Sequence, residues 1–290
     1  MRRACIDIGS NTTRLLVADC DGGRLAETHQ ERAYTEVRRG VGGGGTISAA
    51  KIAEVAEVVA AQLSVAHALG SSEIHGVATA AVRRAANGAA LVEAVRDACG
   101  LEIAVLSEHE EARLAFIGAA GTLDHEPHGA LGVVDVGGGS SELVVGSAPV
   151  HVSWSASFDV GSGDLADACL RSDPPSEAEL AHARDRVRRA LSGLDVPHPA
   201  EAVAVGGTAT SLRRFAGPRL DSAAFARSLR LLSSERTADV AARFGLDAER
   251  VRLLPAGLLI LQAASELLGT ALQIGHGGLR EGVLLEASRV

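Results

Sequence analysis

At 290 residues, 47% of them hydrophobic, the chain is long enough for two domains that each bury a core of their own. A formal charge of −8 and an aromatic content of 2% exclude a nucleic-acid binder, which needs a basic stripe and rings on which bases can stack. Lys51 is the only lysine and no Gly-Lys-Ser/Thr occurs, so a Walker A loop is excluded and arginine must supply the positive charge at any anion site.

Met1-Arg2-Arg3 is basic, but Asp7 interrupts the apolar run that follows, so no signal-peptide core is read and a cytoplasmic protein is expected. Residues 4–19 read as an apolar strand, a turn after Asp7-Ile8-Gly9, and a second strand through Leu15-Leu16-Val17. Gly22-Gly23 turns the chain, and residues 25–37 finish a first sheet. The run from Arg38 to Gly45 matches G-x-G-x-x-G but lacks the strand-to-helix context and ribose-binding acid of a dinucleotide site, so it reads as a loop. An amphipathic helix is expected over 48–67, ended by Gly70, and a strand over 74–78. Thr79 can cap a helix whose first turn presents Arg83, a position suited to an anion.

A helix over 89–99 and a strand over 101–106 lead to Ser107-Glu108-His109-Glu110-Glu111-Ala112. Ser107 and Glu110 have the spacing of a capping box. Glu111 shares its helical face with Leu114, Ala115 and Gly118, so its carboxylate points inward, which makes it a candidate base. Residues 121–129 form a linker whose His125 and His128 fit no metal-ligand spacing. The four cysteines, Cys5, Cys20, Cys99 and Cys169, form no C-x-x-C pair.

Residues 131–146 repeat the N-terminal pattern: Val133, Val134 and Val136, a turn through Asp135 and Gly137-Gly138-Gly139, then Leu143-Val144-Val145. Asp135 matches Asp7, Gly137 matches Gly9, and Ser140-Ser141 matches Thr12-Thr13. Glycine backbone can come close to a ligand, and successive amides can converge on phosphate. A carboxylate beside a phosphate needs a cation between them, so Asp135 implies Mg²⁺. Two such turns facing each other across a cleft would clamp a phosphate chain from both sides.

A strand over 150–158, a turn at Gly161-Ser162-Gly163 and a helix over 177–191 capped by Ser176 come next. Arg184, Arg186, Arg188 and Arg189 give that helix a solvated basic face. A strand over 202–205 enters Gly206-Gly207-Thr208 and a helix. The apolar region 253–272 is broken by Pro255, Gln262 and Glu266 and reads as a buried helix rather than a membrane span. A strand over 272–274, the run from Gly275 to Gly282 and a terminal helix close the chain.

Asp7-Ile8-Gly9-Ser10-Asn11-Thr12 followed by Asp135-Val136-Gly137-Gly138-Gly139-Ser140 resembles the exopolyphosphatase/guanosine pentaphosphate phosphohydrolase family of the actin, sugar kinase and heat-shock chaperone superfamily. The resemblance implies an α/β protein of two ribonuclease-H-like domains, 1–122 and 123–290, with mixed sheets flanked by helices and an active site in the cleft between them. The terminal helix is allowed to pack back on the first domain. It further implies hydrolysis of the terminal phosphoanhydride of polyphosphate, of short chains in particular, with guanosine pentaphosphate as the alternative substrate. Glu111 would be the base and Arg83 a phosphate ligand. Ser10, Asn11 and Thr12 with Gly9, Gly137, Gly138, Gly139 and Ser140, together with Arg38, Gly206, Gly207 and Thr208, would bind phosphate, and Asp135 and Asp7 would hold Mg²⁺ or Mn²⁺. A homodimer is the family expectation. The chain departs from the family pattern at Glu108, Asp164 and His276. A sugar or acetate kinase and a non-catalytic phosphate or nucleotide sensor are the alternatives from other classes.

Overall fold

The computed structural model describes residues 1–40 and 45–289. They fall into two compact units, Met1–Thr122 together with Leu279–Val290, and Leu123–Gly278. The terminal segment, counted by sequence with the second domain but allowed to pack back, groups with the first unit. Four residues of the G-x-G-x-x-G match, 41–44, lie outside the described residues.

Unit 1 contains β1 (Arg2–Ile8), β2 (Thr13–Asp21), β3 (Arg24–Ala33), α1 (Ala49–Ala68), β4 (Glu73–Ala78), α2 (Ala80–Arg84), α3 (Gly88–Cys99), β5 (Ile103–Val105), α4 (Glu108–Gly121) and the C-terminal helix α11 (Leu279–Ala287). Its sheet has the order β3-β2-β1-β4-β5, an antiparallel meander to which β4 and β5 add in parallel. Strand alternation supplies two buried faces. Ala4, Ile6 and Ile8 pack with Val55, Val59, Leu91 and Val95, while Cys5, Leu16 and Ala18 pack with Leu114 and Leu284. Burial pushes the Cys5 thiol up, which leaves it an inert core group. α11 is seated on α4 at Gly282, where a Cβ would stand 1.9 Å from the Leu114 carbonyl oxygen, and Arg113 pairs with Glu286 beside it.

Unit 2 contains β6 (Leu131–Val136), β7 (Ser141–Ser147), β8 (His151–Phe158), α5 (Ser162–Cys169), α6 (Glu177–Ala190), β9 (Glu201–Val205), α7 (Gly206–Ala216), β10 (Arg219–Leu220), α8 (Ser222–Ser234), α9 (Thr237–Phe244), α10 (Ala248–Leu268) and β11 (Leu272–Ile274). The sheet order β10-β11-β9-β6-β7-β8, read from its far edge, repeats that of unit 1 with one strand added. The duplication seen in two short motifs therefore extends to a whole sheet.

In unit 2 the helices depart from the sequence reading at two places. Gly161-Ser162-Gly163 opens helix α5 instead of forming an isolated turn, and α8 and α9 occupy a stretch to which the sequence assigned no element. α10 is long and apolar enough to cross a membrane by length and composition, yet 67% of its most apolar window is buried within the structure, against α5 to α9 and β6 of its own unit.

Candidate active site

Both hairpins close with loops of the same length. Ile8 pairs with Thr13 and Val136 with Ser141, leaving the loops 9–12 and 137–140. In each loop the first amide donates to the fourth carbonyl, Gly9 to Thr12 and Gly137 to Ser140, at 3.0 Å. A Cβ on Gly9 or Gly137 would lie 3.1 or 2.9 Å from that oxygen, so the closure requires glycine.

Following segments tie back the loop carbonyls. Arg38 donates its amide to Ser10 O at 3.1 Å and Glu36 to Asn11 O at 3.0 Å. In unit 2 the first amides of α5 do the same: Ser162 donates to Gly137 O, and Gly163 and Asp164 donate to Gly138 O, at 2.9 to 3.0 Å. The α5 N-terminus sits so close that a Cβ on Gly161 would be 2.3 Å from the Gly138 carbonyl carbon. Glu36 adopts φ +43°, left-handed backbone that costs a non-glycine residue about 1 kcal/mol, at the point where its amide tethers Asn11. With those carbonyls held, the amides of Ser10, Asn11, Thr12, Gly138 and Ser140 have no protein acceptor among the described residues. Amides arranged in this way form an anion cradle.

Register also fixes the charges beside each loop, because residues directly opposite in an antiparallel pair share a face. Asp7 lies opposite Arg14, whereas Asp135 lies opposite Glu142. Asp7 is buried with its Oδ1 lacking any hydrogen-bond partner. Burial raises its pKa above the usual carboxylate range, Arg14 and Arg280 pull it back, and Glu281 adds a smaller push upward. Arg280 is itself held by Leu15 O at 3.1 Å and Gln30 Oε1 at 3.3 Å.

Asp135 meets two glycine turns. Gly206 has φ +83°, and a Cβ there would stand 2.4 Å from Asp135 Oδ1; a Cβ on Gly278 would stand 3.8 Å from Oδ2. Glu142 is only 2% exposed and accepts a hydrogen bond from Ser157 Oγ at 3.1 Å. Gly207 lies over the buried Arg250 guanidinium, where a Cβ would be 2.9 Å from Nη1 and Nη2. Thr208, expected on phosphate, is instead buried with its side chain against Gly257 of α10, so at that position only the backbone can reach a ligand.

In unit 1, Thr79 N donates to Ile8 O and Leu106 N to Ala78 O, which sets Arg83, Glu111 and the 9–12 loop along the C-terminal edge of one sheet. α2 is a single turn with Arg83 at its end rather than in its first turn, and Thr79 makes no side-chain cap bond. Arg83 Nη1 donates to Glu111 Oε2 at 2.9 Å and to Leu106 O at 2.8 Å, while Nη2 lies 3.8 Å from Glu108 Oε1. Glu111 is buried, 8% exposed, in the first turn of α4. Ser107 accepts from the Glu110 amide at 3.2 Å, and the Glu110 carboxylate meets the Ser107 hydroxyl rather than its amide.

The family model for the Ppx/GppA phosphatase family matches residues 16–289. The chain belongs to that family. Exopolyphosphatase 1 of Mycobacterium tuberculosis is 30% identical over 98% of this chain and 88% of its own length. Exopolyphosphatase 2 of the same organism is 34% identical over 74% of this chain and 70% of its own length. The crystal structure of the Aquifex aeolicus Ppx/GppA family member superposes with a TM-score of 0.84 at 28% identity, covering 99% of this chain and 97% of that one. The two mixed sheets flanked by helices are thus the actin-like arrangement of Ppx/GppA proteins. Sequence reasoning missed Glu142, Arg250 and Arg280. Of these only Glu142 left a signal, as a lone carboxylate inside the apolar run that pairs with Asp135 across a loop of known length.

Proposed function

We propose that this protein hydrolyses the terminal phosphoanhydride of inorganic polyphosphate and releases orthophosphate. The observation that carries the reading is a cradle of unengaged amides, 10–12, on the same sheet edge as a buried carboxylate, Glu111, held by Arg83 at 2.9 Å, with a second cradle of the same build in unit 2. Relatives named exopolyphosphatase that align over nearly the whole chain support the choice of substrate.

A divalent cation, Mg²⁺ or Mn²⁺, fits unit 2 best. Two carboxylates opposed on one face, Asp135 and Glu142, repel one another unless a cation or a proton separates them. Mg²⁺ is commonly bound by one or two carboxylates plus phosphate oxygens, so the absence of a larger cluster among the described residues is no obstacle. Asp135 and Glu142 would hold the ion in unit 2; in unit 1 the orphaned Oδ1 of Asp7 is an oxygen donor of its own. When bound, it neutralises charge on the phosphate oxygens.

The chain's own residues do the rest. Loop amides 10–12 in unit 1, and likewise those of Gly138 and Ser140 in unit 2, donate to phosphate oxygens and stabilise their charge. Arg83 keeps a buried Nη2 group without a hydrogen-bond partner for a phosphate oxygen while its Nη1 orients the Glu111 carboxylate. Glu111 takes a proton from the attacking water, and the leaving phosphate departs with the anhydride oxygen.

The test is phosphate release from polyphosphate and, in parallel, from guanosine pentaphosphate, with and without Mg²⁺. Faster release from polyphosphate is the expected result. A clear preference for the nucleotide, or transfer of phosphate to an acceptor other than water, would overturn it.

A further inference from the structure

Unit 2 carries a cationic pair that this chemistry leaves unused. Arg213 in α7 donates from Nη1 to Nε2 of His276 at 3.0 Å, and both residues are exposed. A guanidinium only donates, so in this contact Nε2 offers its lone pair and the ring N–H is at Nδ1. The arginine charge is therefore not compensated by its partner. Arg113, Arg243 and Arg252 each meet a carboxylate, whereas among the described residues Arg213 meets none within ion-pair distance.

Both members are tied to the Asp135 site through the backbone. α7 begins at Gly206, which touches Asp135, and Arg213 follows seven residues later, about 10 Å along the helix axis. His276 stands in a loop fixed on either side. Gly275 donates to Ala204 O at 2.9 Å, and Gly278 lies next to Asp135 Oδ2. An uncompensated arginine and a histidine with a ring N–H to offer are thus anchored to the two segments that flank Asp135, the carboxylate assigned to the cation.

We infer that Arg213 and His276 form a distal phosphate subsite, which binds a phosphate further along a polyphosphate chain whose end is engaged at the Asp135 loop. The inference rests on the polyphosphate reading above. The guanidinium can take two oxygens of one phosphate side by side, and the Nδ1–H of His276 adds a further donor. A chain too short to extend past the Asp135 loop gains nothing from the pair, so the subsite selects for length.

The experiment measures steady-state phosphate release from tripolyphosphate and from long-chain polyphosphate for the wild type, Arg213→Ala, Arg213→Lys and His276→Ala. Loss of the arginine should raise the ratio of the long-chain KM to the tripolyphosphate KM about three- to ten-fold, with a smaller rise for lysine, which cannot bind side by side. An unchanged ratio in both Arg213→Ala and His276→Ala overturns the subsite. A second arm compares retention of long-chain polyphosphate by Glu111→Gln and by Glu111→Gln/Arg213→Ala, where weaker retention by the double variant is expected and equal retention counts against the subsite. If the wild type releases no phosphate from either chain, the hydrolase reading fails by itself, and the retention arm still decides whether the pair binds a polyanion.

Discussion

The same hairpin is built twice, and the two copies handle charge in opposite ways. In unit 1 the aspartate beside the loop faces an arginine, Asp7 against Arg14, with Arg280 close by and both Asp7 and Arg280 buried. In unit 2 the aspartate faces a second carboxylate, Asp135 against Glu142. Opposite charges across a strand pair stabilise it, and like charges do the reverse. In the first copy arginines partly offset the aspartate's charge, whereas the second sets two carboxylates face to face. On the proposed reading the labour divides accordingly: unit 1 would supply the base, Glu111, and unit 2 the metal-binding carboxylates.

The largest expected effect breaks the first half of that division. Glu111→Gln keeps the shape of the Arg83 contact but cannot accept a proton, and kcat should fall about 10²- to 10⁴-fold. Binding of polyphosphate, measured by retention or calorimetry, should survive. A variant that keeps most of its turnover would place the base elsewhere.

The second half is tested by comparing Glu142→Gln with Arg14→Gln. Removing one of two facing carboxylates should raise the Mg²⁺ concentration needed for half-maximal activity about 10- to 100-fold. Arg14→Gln, which leaves both carboxylates in place, should shift it far less. Direct Mn²⁺ binding followed by electron paramagnetic resonance gives the same ranking without relying on turnover. An equal shift in the two variants would erase the distinction between the copies.

Glu108 offers a smaller effect within unit 1. Its carboxylate lies 3.8 Å from the Arg83 Nη2 that is assigned to phosphate, and its side chain is 52% exposed. On the proposed reading it would compete with an anionic substrate for that guanidinium, at the modest strength of an exposed pair. Glu108→Gln should lower KM for polyphosphate about two- to five-fold with kcat nearly unchanged. A rise in KM would mean that Glu108 positions Arg83 instead of screening it.

How much of this was legible beforehand follows from where each piece of information resides. The two loops were readable because Asp-x-Gly and its flanking apolar runs are local and repeated, and Glu111 was readable because helical periodicity put it on the face of Leu114 and Ala115. Arg250 and Arg280 were not, since only tertiary packing brings α10 under Gly207 and α11 beside Leu15. The direction of the Thr208 hydroxyl was not legible either, because a Gly-Gly-Thr turn says that backbone approaches a ligand, not which way the hydroxyl points, and Gly257 decided that. The Gly161-Ser162-Gly163 segment looked like a turn because glycine is a poor helix former. Its helix is anchored by hydrogen bonds to Gly137 and Gly138, which no local propensity reports.

The smallest effect concerns stability and returns to Asp7. Its pKa is raised by burial despite Arg14 and Arg280, so ionising it costs more in the folded chain than in the unfolded one. The sign is fixed by that direction. Well below the unfolded value of 3.8 the group is protonated in both states and carries no penalty; the penalty grows as pH rises through that value toward the folded pKa and is complete above it. Asp7→Asn removes the charge, so at neutral pH it should melt higher than the wild type, by on the order of a few degrees, even as it loses activity. The gap should close on acidification below the unfolded pKa. A variant that melts lower at neutral pH would show that the two arginines more than offset the burial of Asp7, making unit 1's hairpin a stabilising element rather than a strained one.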